Sequence, residues 1–186
     1  MSFGKSYSPK KAVVDSAVRY AESKGVLLVH AAGNDAANTD VAPSFPTPML
    51  DAGTRASNWI EVGASSWKGG AEIPATFSNY GRARVDLFAP GADILSTLPD
   101  GKTGKESGTS MAAPVVSGVA ALIMAYFPKL TGADVKRLLL ESARSLGDLD
   151  VVPPGGDARV KFSTLSRTGA VIDAYAAVKL ALQRIQ

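Results

Sequence analysis

VLLVHAAGN, residues 26–34, is a nearly unbroken apolar run that stops on Gly33 and Asn34. Such a run, bounded by turn residues, reads as a strand buried on both faces, as strands of parallel sheets are. Directly before it, SPKKAVVDSAVRYAESKG (8–25) offers Ser8 as an N-cap, Pro9 at the first helical position and Gly25 as a stop. Ala12, Val13, Ala17, Val18 and Ala21 fall near one face of that helix. A helix feeding a doubly buried strand across a tight turn is the grammar of α/β domains.

The rest of the chain extends this pattern. Residues 35–58, rich in Asn, Asp, Ala, Pro and Thr, read as one long irregular loop, a length that in compact domains goes with function or mobility. WIEVGAS (59–65), VDLFAPG (85–91) and DILSTL (93–98) are short strands between Gly, Asn and Pro punctuation. The stretch from Ser110 to Phe127 is apolar on nearly every side, which predicts a helix in the interior. Thr131 with Asp134 has the pattern of a capping box for a helix to about Ser145. A Pro- and Gly-rich connection near 152–157 leads to a last helix from about Val171 to Ile185.

Bulk properties exclude several classes. A chain of 186 residues suits one domain that buries about 70% of its unfolded surface. Without cysteine there is no disulfide framework, thiolate nucleophile or sulfur-ligated zinc. Twenty Lys and Arg against seventeen Asp and Glu leave a net charge of +3, scattered along the chain, which gives no support to nucleic-acid binding. No run approaches the roughly 18 consecutive apolar residues of a membrane span, and MSFGKSYSPKK lacks the apolar core of a signal peptide. The compartment is left open.

GTSMAAP (108–114) puts Ser110 at the start of the apolar helix, where its oxygen and its N–H lie at the positive end of the helix dipole. Gly108 would let a substrate backbone approach, and Ala112 and Ala113 leave room beside the hydroxyl. Asn34 stands at the C-terminal end of the buried strand, the edge where parallel sheets display their sites. Its amide could join the Ser110 N–H in stabilising an oxyanion. Each residue alone has an ordinary reading, Ser or Thr as a helix cap and Asn as a turn residue. The pair is more informative than either.

VLLVHAAGN followed by GTSMAAPVVSGVAAL (108–122) resembles the oxyanion-asparagine strand and the nucleophile helix of subtilisin-like serine proteases. In the same order, MSFG (1–4) resembles the strand that pairs with bound peptide, APGADILST (89–97) the approach to the serine, and TGAVIDAYAAV (168–178) the closing helix. The resemblance implies a three-layer α/β fold with a parallel sheet, present as its C-terminal part. It makes Ser110 the acylated nucleophile and Asn34 the side-chain oxyanion donor. Ser2, Phe3 and Gly4 would bind an extended peptide or protein substrate through the main chain. Ala31, Ala32 and Gly33 would wall the pocket before the cleaved bond, with Phe45, Pro46 and Thr47 as its floor. It also implies a parent that is extracellular or in the cell envelope.

The departures are as informative. The triad order of the family is Asp, His, Ser, and the segments bearing the first two are expected upstream of this sequence. His30, four residues before Asn34 in the buried strand, lies roughly 13 Å back from the reactive edge and reads as a structural imidazole. Val115 occupies a packing position after the proline of the serine helix. The isolated chain is therefore expected to be practically inactive, to need the upstream half of the domain as a partner, and to self-associate through exposed sheet edges and a bare helix face. A rival reading is a non-catalytic module that binds peptides or assembles with a partner.

Gly101-Lys102-Thr103 is not a P-loop, because Ser96 stands where the first glycine belongs. No cofactor is required. Structural calcium is known in the family, but no dense Asp run supports it here, and Asp35, Asp40 and Asp51 read as solvated loop acids.

Overall fold

The computed structural model describes residues 1–51 and 53–185. The run at 26–34 supplies β1 (Leu28–Ala31), WIEVGAS supplies β2 (Trp59–Ser65), and the next apolar stretch supplies β3 (Leu87–Pro90). These three pair in parallel, Val29 beside Ile60 and Val62 beside Leu87. Every residue of β2 is buried, as a strand covered on both faces must be. An antiparallel hairpin, β4 (Ile94–Leu98) with β5 (Lys102–Glu106), stands outside this sheet, so the residues after Gly101 form a strand and not a phosphate-binding helix. Beyond it come β6 (Arg144–Ser145), β7 (Asp150–Val151), β8 (Val160–Lys161) and β9 (Ala170–Val171). The main sheet runs β1-β2-β3-β9-β6, and β6 alone is antiparallel to its neighbour.

Helices α2 (Thr109–Tyr126), α3 (Gly132–Ser142) and α4 (Ala174–Ile185) cover one face. There Ile60, Val62 and Leu87 of the sheet meet Val116 and Ile123 of α2, Leu138 of α3 and Ala177 of α4. On the other face Trp59 packs with Val18 of α1 (Lys11–Ser23), Leu50 and Ala56, while Phe88 packs on Phe162 and Leu165, its ring 5.2 Å from that of Phe162. A Cβ on Gly63 would stand 2.7 Å from the Phe88 ring, so the absence of a side chain there is what admits the phenyl group. The result is three layers. Full burial of a side chain such as Phe88 contributes about 1.5–3 kcal/mol.

Three expectations need correction. First, α1 begins at Lys11, because the N–H groups of Val13 and Val14 close the first turn on the Lys10 carbonyl, so Ser8 and Pro9 lie ahead of the helix. Its buried residues are Asp15 and Val18, while Val13 is exposed. The Asp15 carboxylate accepts from Lys11 Nζ at 2.5 Å and from the Asp51 N–H at 2.8 Å, tying the helix to the long loop.

Second, α2 is not enclosed. Thr109, Ala112, Ala113, Val116, Ala120 and Ile123 are buried, but Leu122 is 46% and Tyr126 75% exposed on the face away from the sheet. By length and composition α2 would suffice to cross a membrane, yet it is one layer of the fold, with one face on β1–β3. Third, the loop acids have partners. Asp40 accepts from the N–H groups of Ala83 and Arg84 at 2.9 and 3.0 Å, and Asp51 pairs with Lys11 at 3.0 Å. The expected capping box is present on α3, where the Thr131 hydroxyl accepts from Asp134 N and the Asp134 carboxylate accepts from Thr131 N.

Candidate active site

β1 ends at Ala31, and the chain turns at Gly33 with φ +106°. A Cβ on Gly33 would lie 2.4 Å from Asn79 Nδ2, so both the backbone conformation and the space demand glycine. Asn79 is buried and organises this turn. Its Nδ2 donates to the Ala32 carbonyl at 2.9 Å, and its Oδ1 accepts from the N–H groups of Asp35 and Ala37, each at 2.9 Å. Asn34 is thereby displayed at the C-terminal edge of the sheet, where crevices of parallel sheets open.

The start of α2 reaches the same edge by close backbone packing. The Gly108 N–H donates to the Gly91 carbonyl at 2.7 Å, and a Cβ on Gly91 would come within 2.8 Å of the Gly108 carbonyl oxygen. Thr109 then locks the two segments together. Its N–H and its hydroxyl donate to Asn34 Oδ1 at 2.8 and 3.0 Å, and its hydroxyl accepts from the Gly33 N–H at 3.0 Å. Because an N–H can donate only to the amide oxygen, these contacts fix which end of the Asn34 carboxamide is which. Its Nδ2 is left toward the cleft. The Ser110 N–H, in the unsatisfied first turn of α2, has no acceptor among the described residues. The point that a Cβ on Gly108 would occupy is 3.3 Å from Asn34 Nδ2 and 3.5 Å from Ser110 N. Glycine at 108 keeps the space between two donors open.

Ser110 is partly exposed. Its Oγ donates to the Ser2 carbonyl at 3.4 Å, and the Ser2 hydroxyl donates to the Ser110 carbonyl at 3.0 Å. Around them lies a cleft of about 630 Å³. Ser2, Phe3 and Gly4 line it, as do Ala31, Gly33 and Asn34. The remaining pocket residues sit differently from expectation. Ala32 is fully buried against Val85 and Phe88 beneath the edge, since strand alternation turns it away from Ala31. Phe45 pairs with Lys5 through two main-chain bonds of 2.9 and 2.8 Å, which leaves Ala42, Pro43 and Ser44 on the cleft. Pro46 lines a separate groove beside α1, and Thr47 is buried next to Arg84.

The chain's single histidine is His30, and it is fully buried in β1 with both ring nitrogens engaged, Nδ1 with Glu61 Oε1 at 2.9 Å and Nε2 with the Phe3 carbonyl at 2.8 Å. It is not a base for Ser110. Among the described residues no three His, Asp or Glu side chains are grouped to hold a metal ion. Asn79 and the double role of Thr109 escape sequence reasoning, because nothing near SNYG or within GTS reports a partner 44 or 75 positions away.

A hydroxyl beside two N–H donors that have no acceptor among the described residues, over the edge of a parallel sheet, is suited to acyl transfer, the chemistry of serine proteases. The chain belongs to the subtilase family of such proteases, whose sequence profile matches residues 1–169. Alkaline serine protease ver112 of Corniculantispora psalliotae is 39% identical over 155 residues, covering 83% of this chain and 36% of its own. An extracellular protease of Xanthomonas campestris pv. campestris is 40% identical over 141 residues, covering 72% of this chain and 22% of its own. In structure, the chain resembles one from the subtilase cytotoxin SubAB assembly with a TM-score of 0.76 and 26% identity, over 97% of this chain and 56% of that one. This chain thus spans less than half the length of those two protease relatives.

Proposed function

We propose that this chain is the C-terminal portion of a subtilase endopeptidase domain that cleaves peptide bonds through an acyl-enzyme on Ser110. Ser110 Oγ attacks the carbonyl carbon, and its proton passes to a histidine supplied by the upstream half of the domain. The carbonyl π pair moves onto oxygen, which accepts from Asn34 Nδ2 and the Ser110 N–H. The C–N bond then breaks, the leaving amine takes the proton, and water releases the acyl group. Ser2, Phe3 and Gly4 hold the substrate extended by adding it as a strand.

The observation that carries this reading is the open point between Asn34 Nδ2 and Ser110 N, 3.3 and 3.5 Å from them, with both residues lining the cleft. An oxygen drawn slightly toward both would accept two hydrogen bonds. The upstream half would cover the bare face of α2, which carries Leu122 and Tyr126. Relatives such as the extracellular protease of Xanthomonas campestris favour an extracellular parent.

The test is a fluorophosphonate probe applied with and without a supplied subtilase segment that bears the Asp and His. Modification of Ser110 only in the combined sample is expected. A non-catalytic peptide-binding module is the second reading, favoured by the engagement of the only histidine away from Ser110. It predicts no labelling in either sample.

A further inference from the structure

We propose that His30 and Glu61 form a buried latch that positions the segment Ser2–Gly4 along the cleft. Calling that segment substrate-binding rests on the protease reading above; the latch itself rests on geometry. His30 and Glu61 are register neighbours on β1 and β2, so their side chains emerge on the same side of the sheet. A carbonyl oxygen only accepts, so the Phe3 contact at 2.8 Å requires the His30 proton on Nε2. Nδ1 and Glu61 Oε1, 2.9 Å apart, then share one further proton, which fixes the plane of the ring. The other carboxyl oxygen accepts from Trp59 Nε1 at 2.5 Å, and the Trp59 ring packs 5.1 Å from the imidazole.

The segment 1–5 shows what the latch does. The Met1 carbonyl accepts from the Ala31 N–H at 3.1 Å, the Phe3 carbonyl from His30, and the Lys5 carbonyl from the Phe45 N–H at 2.8 Å. In an extended chain alternate carbonyls point the same way. All three odd-numbered carbonyls are therefore held inward, which turns the main chain of Ser2 and Gly4 to the cleft and sets the Ser2 carbonyl 3.4 Å from Ser110 Oγ. Main-chain partners anchor the two ends of the segment; the middle anchor is a side chain. A packing role does not account for the pair, since two apolar side chains would fill this interior without the cost of burying ionisable groups.

Two isosteric variants separate the latch from packing. Gln at position 30 places its amide nitrogen where Nε2 stood, while Asn places it where Nδ1 stood. His30→Asn should therefore release Phe3, and His30→Gln should hold it. In amide exchange of the chain as it stands, His30→Asn is expected to speed the Ala31 and Lys5 amides about tenfold, the worth of one buried hydrogen bond. His30→Gln should stay within about twofold of the parent, and the Ala75 amide, bonded to Ala64 away from the latch, reports that both remain folded. In the unsubstituted chain, NMR should show a slowly exchanging imidazole Nε2 proton. Equal exchange in the two variants, or no such proton, would overturn the proposal. With the upstream segment supplied, His30→Asn should also slow Ser110 acylation by a four-residue peptide ester about tenfold more than by a single-residue ester. If Ser110 never reacts, the protease reading falls while the exchange result still decides the latch.

Discussion

Asn34 carries two separable duties, and substitution can remove one at a time. Its Oδ1 accepts from the Thr109 N–H at 2.8 Å and the Thr109 hydroxyl at 3.0 Å, while its Nδ2 faces the cleft. Asn34→Asp keeps an acceptor for both Thr109 bonds and adds negative charge at the start of α2, worth roughly 0.3–1 kcal/mol in favour of folding. Asn34→Ala removes both bonds. At about 1 kcal/mol each they amount to roughly 2 kcal/mol, near the top of the range for a lost helix cap. With a urea m-value of about 2 kcal/mol/M for a chain of this size, the midpoint should fall by about 1 M in the alanine variant and not fall in the aspartate variant. Reactivity should follow the other duty. With the upstream segment supplied, both variants should label at Ser110 about 10² to 10³ more slowly, the range that loss of the corresponding donor has in subtilisin itself. An aspartate variant that labels at the parent rate would refute the donor role of Nδ2. An alanine variant as stable as the parent would refute the account of the Thr109 lock.

Other consequences are open to direct measurement. Gly108→Ala puts a methyl group between the two donors, so Ser110 labelling should drop at least about tenfold while the α3–α4 core keeps its stability; an unchanged rate would mean the open point is not where the oxygen binds. Gly33→Ala meets both a left-handed backbone and Asn79 at 2.4 Å, and should cost about 2–3 kcal/mol by thermal unfolding, where a loss under 0.5 would be inconsistent with the turn described. Hydrogen bonds from Ser57 lower the Glu22 pKa, and hydrogen bonds from Thr131 lower that of Asp134. A carboxylate with a depressed folded pKa stabilises fully above its unfolded value, near 4, and that contribution is lost as pH falls through the folded value. Stability should therefore decline below about pH 4, and Glu22→Gln with Asp134→Asn should flatten the decline; an unchanged acid slope would exclude both groups. Sedimentation of the chain alone should show association that Leu122→Glu with Tyr126→Glu reduces, and a monomer at every concentration would contradict an uncovered α2 face.

What could be read in advance follows from the range of the forces involved. The strand at 26–34, β2, the α3 capping box and the start of α2 are set by neighbours within a few residues, and periodicity and cap chemistry report them. The cleft is made by contacts across 75 to 108 positions, such as Thr109 with Asn34 and Ser2 with Ser110, and local pattern is silent about these. Asn34 and Ser110 were nevertheless legible as a pair, since each stands at the end of an element whose type the sequence declares, and parallel sheets bring such ends to one edge. The pocket wall was not, because Pro43 and Pro46 look equivalent until the pairing of Phe45 with Lys5 sends them to opposite sides.

His30 illustrates the same limit from within a strand. Its distance from the reactive edge rules it out as the base on rise per residue alone, yet its work depends on Glu61 one strand away and on Phe3 in the middle of segment 1–5. Hydropathy marks an imidazole in an apolar run as an anomaly and goes no further. A buried ionisable residue persists in such a run only where its hydrogen bonds are met, so the anomaly is itself a pointer to two polar partners. Here those partners connect β2 to the rim of the cleft. A substitution at Glu61, with no atom in the cleft, should therefore be felt at Ser2.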